Sequence, residues 1–81
     1  MKKKIIILGS TGSIGIKTFN IFKQDKKNFQ VILLSTNSNL KKIINQVKEL
    51  NVKNIIINNN KVFNLAKKNK NLKAINIYNN F

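Results

Sequence analysis

Three glycines, Gly9, Gly12 and Gly15, stand three residues apart in the stretch ILGSTGSIG, and the chain has no others. They follow directly on the apolar run at residues 5–8. A tight turn that leaves a strand and enters a helix presents unpaired backbone N–H groups and a partial positive charge to an anion. Glycine serves three needs in such a turn: the sharp reversal, close backbone approach to a pyrophosphate, and close packing of the helix on the strand. By position, Gly9 makes the turn, Gly12 admits the phosphate and Gly15 lets the helix pack. Ser10, Thr11 and Ser13 add hydroxyl groups where phosphate oxygens would lie. The spacing is G-x-x-G-x-x-G rather than G-x-G-x-x-G. No G-K-[ST] follows, which excludes a P-loop nucleotide triphosphatase.

The end of the next apolar run bears on which dinucleotide would fit. An NAD site places an acid there to hold the ribose 2′-hydroxyl. This chain reads LLSTNSNLKK instead. A carboxylate would repel a 2′-phosphate, whereas hydroxyl, amide and ammonium groups accept one. Ser35, Thr36, Asn37, Ser38 and Asn39 lie where the adenosine ribose belongs, with Lys41 or Lys42 to neutralise the phosphate. The expectation is NADP over NAD.

Elements of alternating type must position these groups. Residues 5–8, 29–34, 52–57 and 73–78 read as strands, the last closer to an edge. Ile14, Thr18, Phe19 and Phe22 recur at helical spacing after the glycines. Leu40, Ile43, Ile44, Val47 and Leu50 form one helical face, with Ser38 or Asn39 as its cap. Asn60 caps a short third helix through Val62, Leu65 and Ala66. The order β-α-β-α-β-α-β with helix-length crossovers predicts an α/β, Rossmann-like parallel sheet. The expected strand order is 3-2-1-4, with helices on both faces. The whole span, 1–81, reads as one such domain, incomplete and without a linker.

Composition bounds the partners. Sixteen lysines, sixteen asparagines and fourteen isoleucines fill more than half of the 81 residues, and arginine and proline are absent. These are residues of A- and T-rich codons, so the net charge of +14 reads as coding bias on a solvated surface. The lysines are scattered, and arginine, the preferred reader of phosphates and base edges, is missing. Weak, salt-sensitive adhesion to polyanions is expected, but no specific nucleic-acid partner. Without cysteine there is neither disulfide nor thiolate metal site, as suits a cytoplasmic protein. The apolar stretch of the N-terminus is too short for a signal peptide or a membrane span. Asp25 and Glu49 are the only acids and stand apart; both read as solvated, and neither a metal site nor a catalytic base is assigned.

With ILGSTGSIG, Thr18, the F-x-V at residues 29–31 and Asn39, the chain resembles 1-deoxy-D-xylulose 5-phosphate reductoisomerase. The likeness continues through Gln46 and Glu49 to VKNIII. It implies NADPH contacts at Thr11, Gly12, Ser13 and Ile14, and at the segment after the second strand. There Asn39 matches the family's A-G-x-N, Asn37 replaces its glycine, and Ser38 replaces a frequent lysine. Asparagine tolerates positive φ best among the other residues, so the turn is expected to survive at Asn37. The resemblance further implies a sugar-phosphate substrate, a divalent metal (Mg, Mn or Co), a homodimer for the full-length enzyme and a place in non-mevalonate isoprenoid biosynthesis. The catalytic and metal groups would lie outside this chain, which alone is expected to be inactive. Two alternatives are an extended short-chain dehydrogenase or epimerase segment, which opens G-A-T-G-x-x-G, and a non-catalytic remnant or basic nucleic-acid-binding module.

Overall fold

Alternating apolar runs and amphipathic stretches build a single parallel sheet with helical crossovers. The computed structural model describes residues 2–80; Met1 and Phe81, part of the expected domain span, lie outside the described residues. The elements are β1 (Lys3–Ile7), α1 (Ser13–Lys23), β2 (Phe29–Thr36), α2 (Leu40–Leu50), β3 (Asn54–Ile57), α3 (Asn60–Lys67) and β4 (Asn76–Tyr78). A 3₁₀ turn at Lys70–Leu72, not foreseen from the sequence, precedes β4.

All strand pairings are parallel, as expected, but the order is β1-β2-β3-β4 rather than 3-2-1-4. Asparagines fasten β4 to the outer edge of β3. The Asn76 N–H donates to the Lys53 carbonyl at 2.9 Å, Asn76 Nδ2 to Asn54 Oδ1 at 3.0 Å and Asn79 Nδ2 to the Ile57 carbonyl at 3.0 Å. The fourth strand therefore continues outward instead of returning to β1. Successive right-handed crossovers that advance in one direction leave their helices on one side. Phe19 of α1, Ile43 and Val47 of α2 and Ala66 of α3 accordingly share one core with Ile7, Val31, Leu34, Ile55 and Ile57. The expected helices on both faces are thus replaced by one helical layer.

The register shifts between Ile5, opposite Val31, and Ile6, opposite Leu33. This irregularity makes Ile32 an extra residue in β2 and reverses the inward-outward alternation beyond it. Val31 and Leu34 both reach the core for that reason, although two residues, an even number, lie between them. In α1 the inward face is Gly15, Phe19 and Phe22. Ile14 and Thr18, expected on that face, turn outward, and Ile14 is 82% exposed. The α3 cap is Asn59, whose side chain accepts the Val62 N–H, rather than Asn60.

Candidate functional site

The loop between β1 and α1 owes its shape to its glycines. Gly9 has φ +65°, a left-handed conformation that disfavours side chains. Gly15 lies so close to the turn that a Cβ there would stand 1.9 Å from the Gly9 carbonyl oxygen and 2.7 Å from Ser10 Cα. These are the turn and the close packing that the spacing predicts. Gly12 differs: a Cβ there would meet only the Gly9 oxygen, at an ordinary 3.5 Å. It occupies the N-cap of α1, and no side chain caps that helix. By contrast, Asn39 caps α2 by accepting the Lys42 N–H at 3.1 Å, and Asn59 caps α3. The start of α1 therefore keeps its donors uncapped beside a hollow of about 430 Å³ bordered by Leu8, Gly9, Gly12, Ser13 and Ile14. One expected donor is engaged within the turn, since the Gly12 N–H bonds the Gly9 carbonyl at 3.1 Å.

Several hydroxyls expected at the ligand instead hold the loop. Ser10 is fully buried; its Oγ donates to Gln46 Oε1 at 2.8 Å, so it is not presented to the hollow. Ser35 accepts the Gly9 N–H at Oγ, at 2.8 Å. Thr11 and Thr36 share a 2.6 Å hydroxyl–hydroxyl bond, and Thr36 Oγ1 also accepts the Asn39 N–H at 3.2 Å. This chain of bonds joins the glycine loop to the turn after β2. Ser13, Asn37, Ser38 and Asn39 remain exposed there. Asn39, Lys41, Lys42 and Asn45 border a second hollow of about 260 Å³, so amide and ammonium groups lie together at the start of α2. Asn37 does not take the left-handed conformation expected of it. Among the described residues the non-glycine residue with positive φ is Asn51, the C-cap of α2.

The residue that pattern reading left out of the site is Gln46. It lies buried on α2, and its signal is a polar side chain beside the apolar positions Ile43 and Val47. A larger hollow of about 600 Å³ lies elsewhere, bordered by Lys67, Lys70, Lys73 and Tyr78. It collects surface lysines and none of the loop geometry.

The two acids are far from forming a metal centre. Asp25 accepts from Asn28 Nδ2 at 3.0 Å. Glu49 pairs with Lys23 at 2.8 Å rather than standing free in solvent. Among the described residues no cluster of three potential ligands exists. The described side chains bring together no ligand set that fits a divalent metal.

A family model described as 1-deoxy-D-xylulose 5-phosphate reductoisomerase matches residues 5–79. A protein of that name from Pelagibacter ubique (strain HTCC1062) is 47% identical over 79 residues, covering 98% of this chain and 20% of its own length. Another, from Thermoanaerobacter sp. (strain X514), is 36% identical over 67 residues, 83% of this chain and 18% of the relative. The solved structure of 1-deoxy-D-xylulose 5-phosphate reductoisomerase from Zymomonas mobilis in complex with NADPH superimposes with a TM-score of 0.86 at 28% identity. It covers 96% of this chain, which corresponds to 21% of the solved chain. The chain thus spans about a fifth of the length of the relatives it matches.

Proposed function

Because the chain belongs to the 1-deoxy-D-xylulose 5-phosphate reductoisomerase family, we propose that it supplies the NADPH-binding part of that enzyme. The uncapped start of α1, opened by Gly12, is the observation that carries this reading. A pyrophosphate seated there would meet backbone N–H groups of Thr11, Ser13 and Ile14 and the positive end of the helix. The turn after β2 would take the adenosine end, with Asn37, Ser38 and Asn39 at the ribose and Lys41 or Lys42 at the 2′-phosphate. NADPH supplies the hydride for the reduction that accompanies rearrangement of 1-deoxy-D-xylulose 5-phosphate to 2-C-methyl-D-erythritol 4-phosphate. The loop would contribute orientation: with the pyrophosphate held at the start of α1, its backbone N–H groups would fix the dinucleotide for the reduction.

The family's metal-assisted isomerisation requires ligands that these residues do not provide. By itself the chain is expected to bind cofactor weakly and to turn over nothing. A homodimer and a cytoplasmic location belong to the same reading of the whole enzyme. No helix among the described residues is long and apolar enough to cross a membrane.

Calorimetry with NADPH and NADH tests the proposal. Tighter binding of NADPH, lost in Gly12→Val because a branched side chain then faces the pyrophosphate, is the expected result. Equal affinity for both dinucleotides, or an unaffected variant, refutes it.

A further inference from the structure

A loop built on Gly9 and Gly12 has too much backbone freedom to hold a fixed array of donors unless something ties it down. Ser10 is the one fully buried residue between these glycines, and its ties converge from two elements. Its N–H donates to the Ser35 carbonyl on β2 at 2.8 Å. From α2, Gln46 grips both the side chain and the backbone of Ser10: Oε1 accepts the hydroxyl at 2.8 Å, and Nε2 donates to the carbonyl at 2.7 Å. Ser10 Oγ also lies 3.3 Å from the Ser35 carbonyl, a longer secondary contact.

A buried carboxamide is unfavourable in an apolar helix face unless its polar atoms are paired. Gln46 lies on the same helix as the core residues Ile43 and Val47 and is itself 4% exposed. Oxygen and nitrogen have opposite requirements, and the loop presents one donor and one acceptor on the same residue. Only one orientation of the amide satisfies both, so the pair fixes the rotation of the loop as well as its distance from α2.

We propose that Gln46 is a positioning residue for dinucleotide binding: through Ser10 it sets the loop from which the start of α1 meets a pyrophosphate. The inference rests on the NADPH-binding reading above. It assigns Gln46 no contact with the ligand; its effect falls chiefly on the phosphate end of the site, which Ser10 adjoins directly, and reaches the turn after β2 only through the Thr11–Thr36 link. The adenosine end rests on the turn after β2, to which Gln46 makes no described hydrogen bond. A residue that merely supports the fold would affect both ends together.

The test is an NMR titration of the 81-residue chain with two probes, NADPH and adenosine 2′-monophosphate, which lacks the pyrophosphate. Gln46→Met keeps the length and removes both hydrogen bonds. It is expected to weaken NADPH binding at least tenfold while changing adenosine 2′-monophosphate binding less than twofold, at a temperature where circular dichroism shows it folded. Equal weakening of both probes, or no weakening of either, overturns the proposal. Should Gln46→Met fail to fold, Ser10→Ala removes the hydroxyl's contacts with Gln46 and the Ser35 carbonyl and leaves the bond from Gln46 Nε2 to the Ser10 carbonyl. It is then expected to show the same selective loss at about threefold, and its absence overturns the proposal. If the unaltered chain shows no NADPH binding, the cofactor reading itself falls and takes this inference with it. Wild-type binding with an insensitive Gln46→Met removes the inference alone.

Discussion

At the scale of single residues, the three glycines are not equivalent, and substitution separates them. A methyl group at Gly15 collides with backbone at 1.9 Å, and no flexible side chain can move aside. Gly15→Ala is therefore expected to destabilise the chain by about 3 kcal/mol, the upper range of overpacking. Gly9→Ala meets no atom within 4 Å; its penalty is the left-handed backbone alone, roughly 1–2 kcal/mol. Urea denaturation checks the ranking, and a Gly9 variant less stable than the Gly15 variant would contradict it. The spacing made the turn and the close packing legible in the sequence. It did not reveal Ser10, Ser35 and Thr36 as supports of the loop. Their hydroxyls have the same chemistry whether they face a ligand or a neighbouring strand, and only burial distinguishes the two.

At the scale of elements, cap chemistry opposes function at one helix and accords with it at another. Asn39 and Asn59 cap α2 and α3 with their side chains, whereas Gly12 leaves α1 without one. Gly12→Asp should cap the helix and favour its dipole, raising stability by about 0.5 kcal/mol. It should also abolish NADPH binding, because the new carboxylate takes the donors and repels the phosphate. Thermal unfolding and calorimetry on the same variant read both effects; a Gly12→Asp chain that still binds NADPH would exclude the helix start as the phosphate site. At α2, Asn39→Ala removes a cap worth about 1 kcal/mol, a fall in Tm of roughly 4–8 °C for a domain of this size. Asn39→Asp keeps the cap and is expected to shift preference from NADPH toward NADH, as measured by the ratio of the two dissociation constants. Apolar periodicity found the three α-helices and four strands of the described residues, though not the 3₁₀ turn at Lys70–Leu72. Boundaries and the face of α1 were less legible, because Ile14, Thr18, Phe19 and Phe22 fit a helical stripe nearly as well as Gly15, Phe19 and Phe22. A glycine contributes no hydrophobicity to the pattern, although Gly15 marks the side pressed against the loop.

For the whole molecule, the strand order governs behaviour in solution. Apolar periodicity supplied parallel strands but not their neighbours, since it marks which face of a strand is buried and not which strand lies beside it. With the order β1-β2-β3-β4 among the described residues, β1 is an edge strand of this chain taken alone, and the glycine loop lies at that edge. Beside that edge Ile6 and Leu8 are 56% and 58% exposed, and Ile14 and Ile21 are exposed along the outer stripe of α1. An apolar edge with unpaired backbone groups is a template for association. The charge of +14 opposes association between copies, and salt screens that repulsion, with a Debye length of about 10 Å at 0.1 M and about 30 Å at 0.01 M. The isolated chain is therefore expected to be monomeric at low ionic strength and to self-associate as salt is raised, the reverse of an assembly held by ion pairs. Replacing both Ile6 and Leu8 with lysine should abolish the association without altering helix content, because neither side chain belongs to the core shared with the helices. Sedimentation velocity across a salt series reads the outcome. A chain that stays monomeric throughout, or a doubly substituted chain that still associates, would show that the β1 edge is not the adhesive surface.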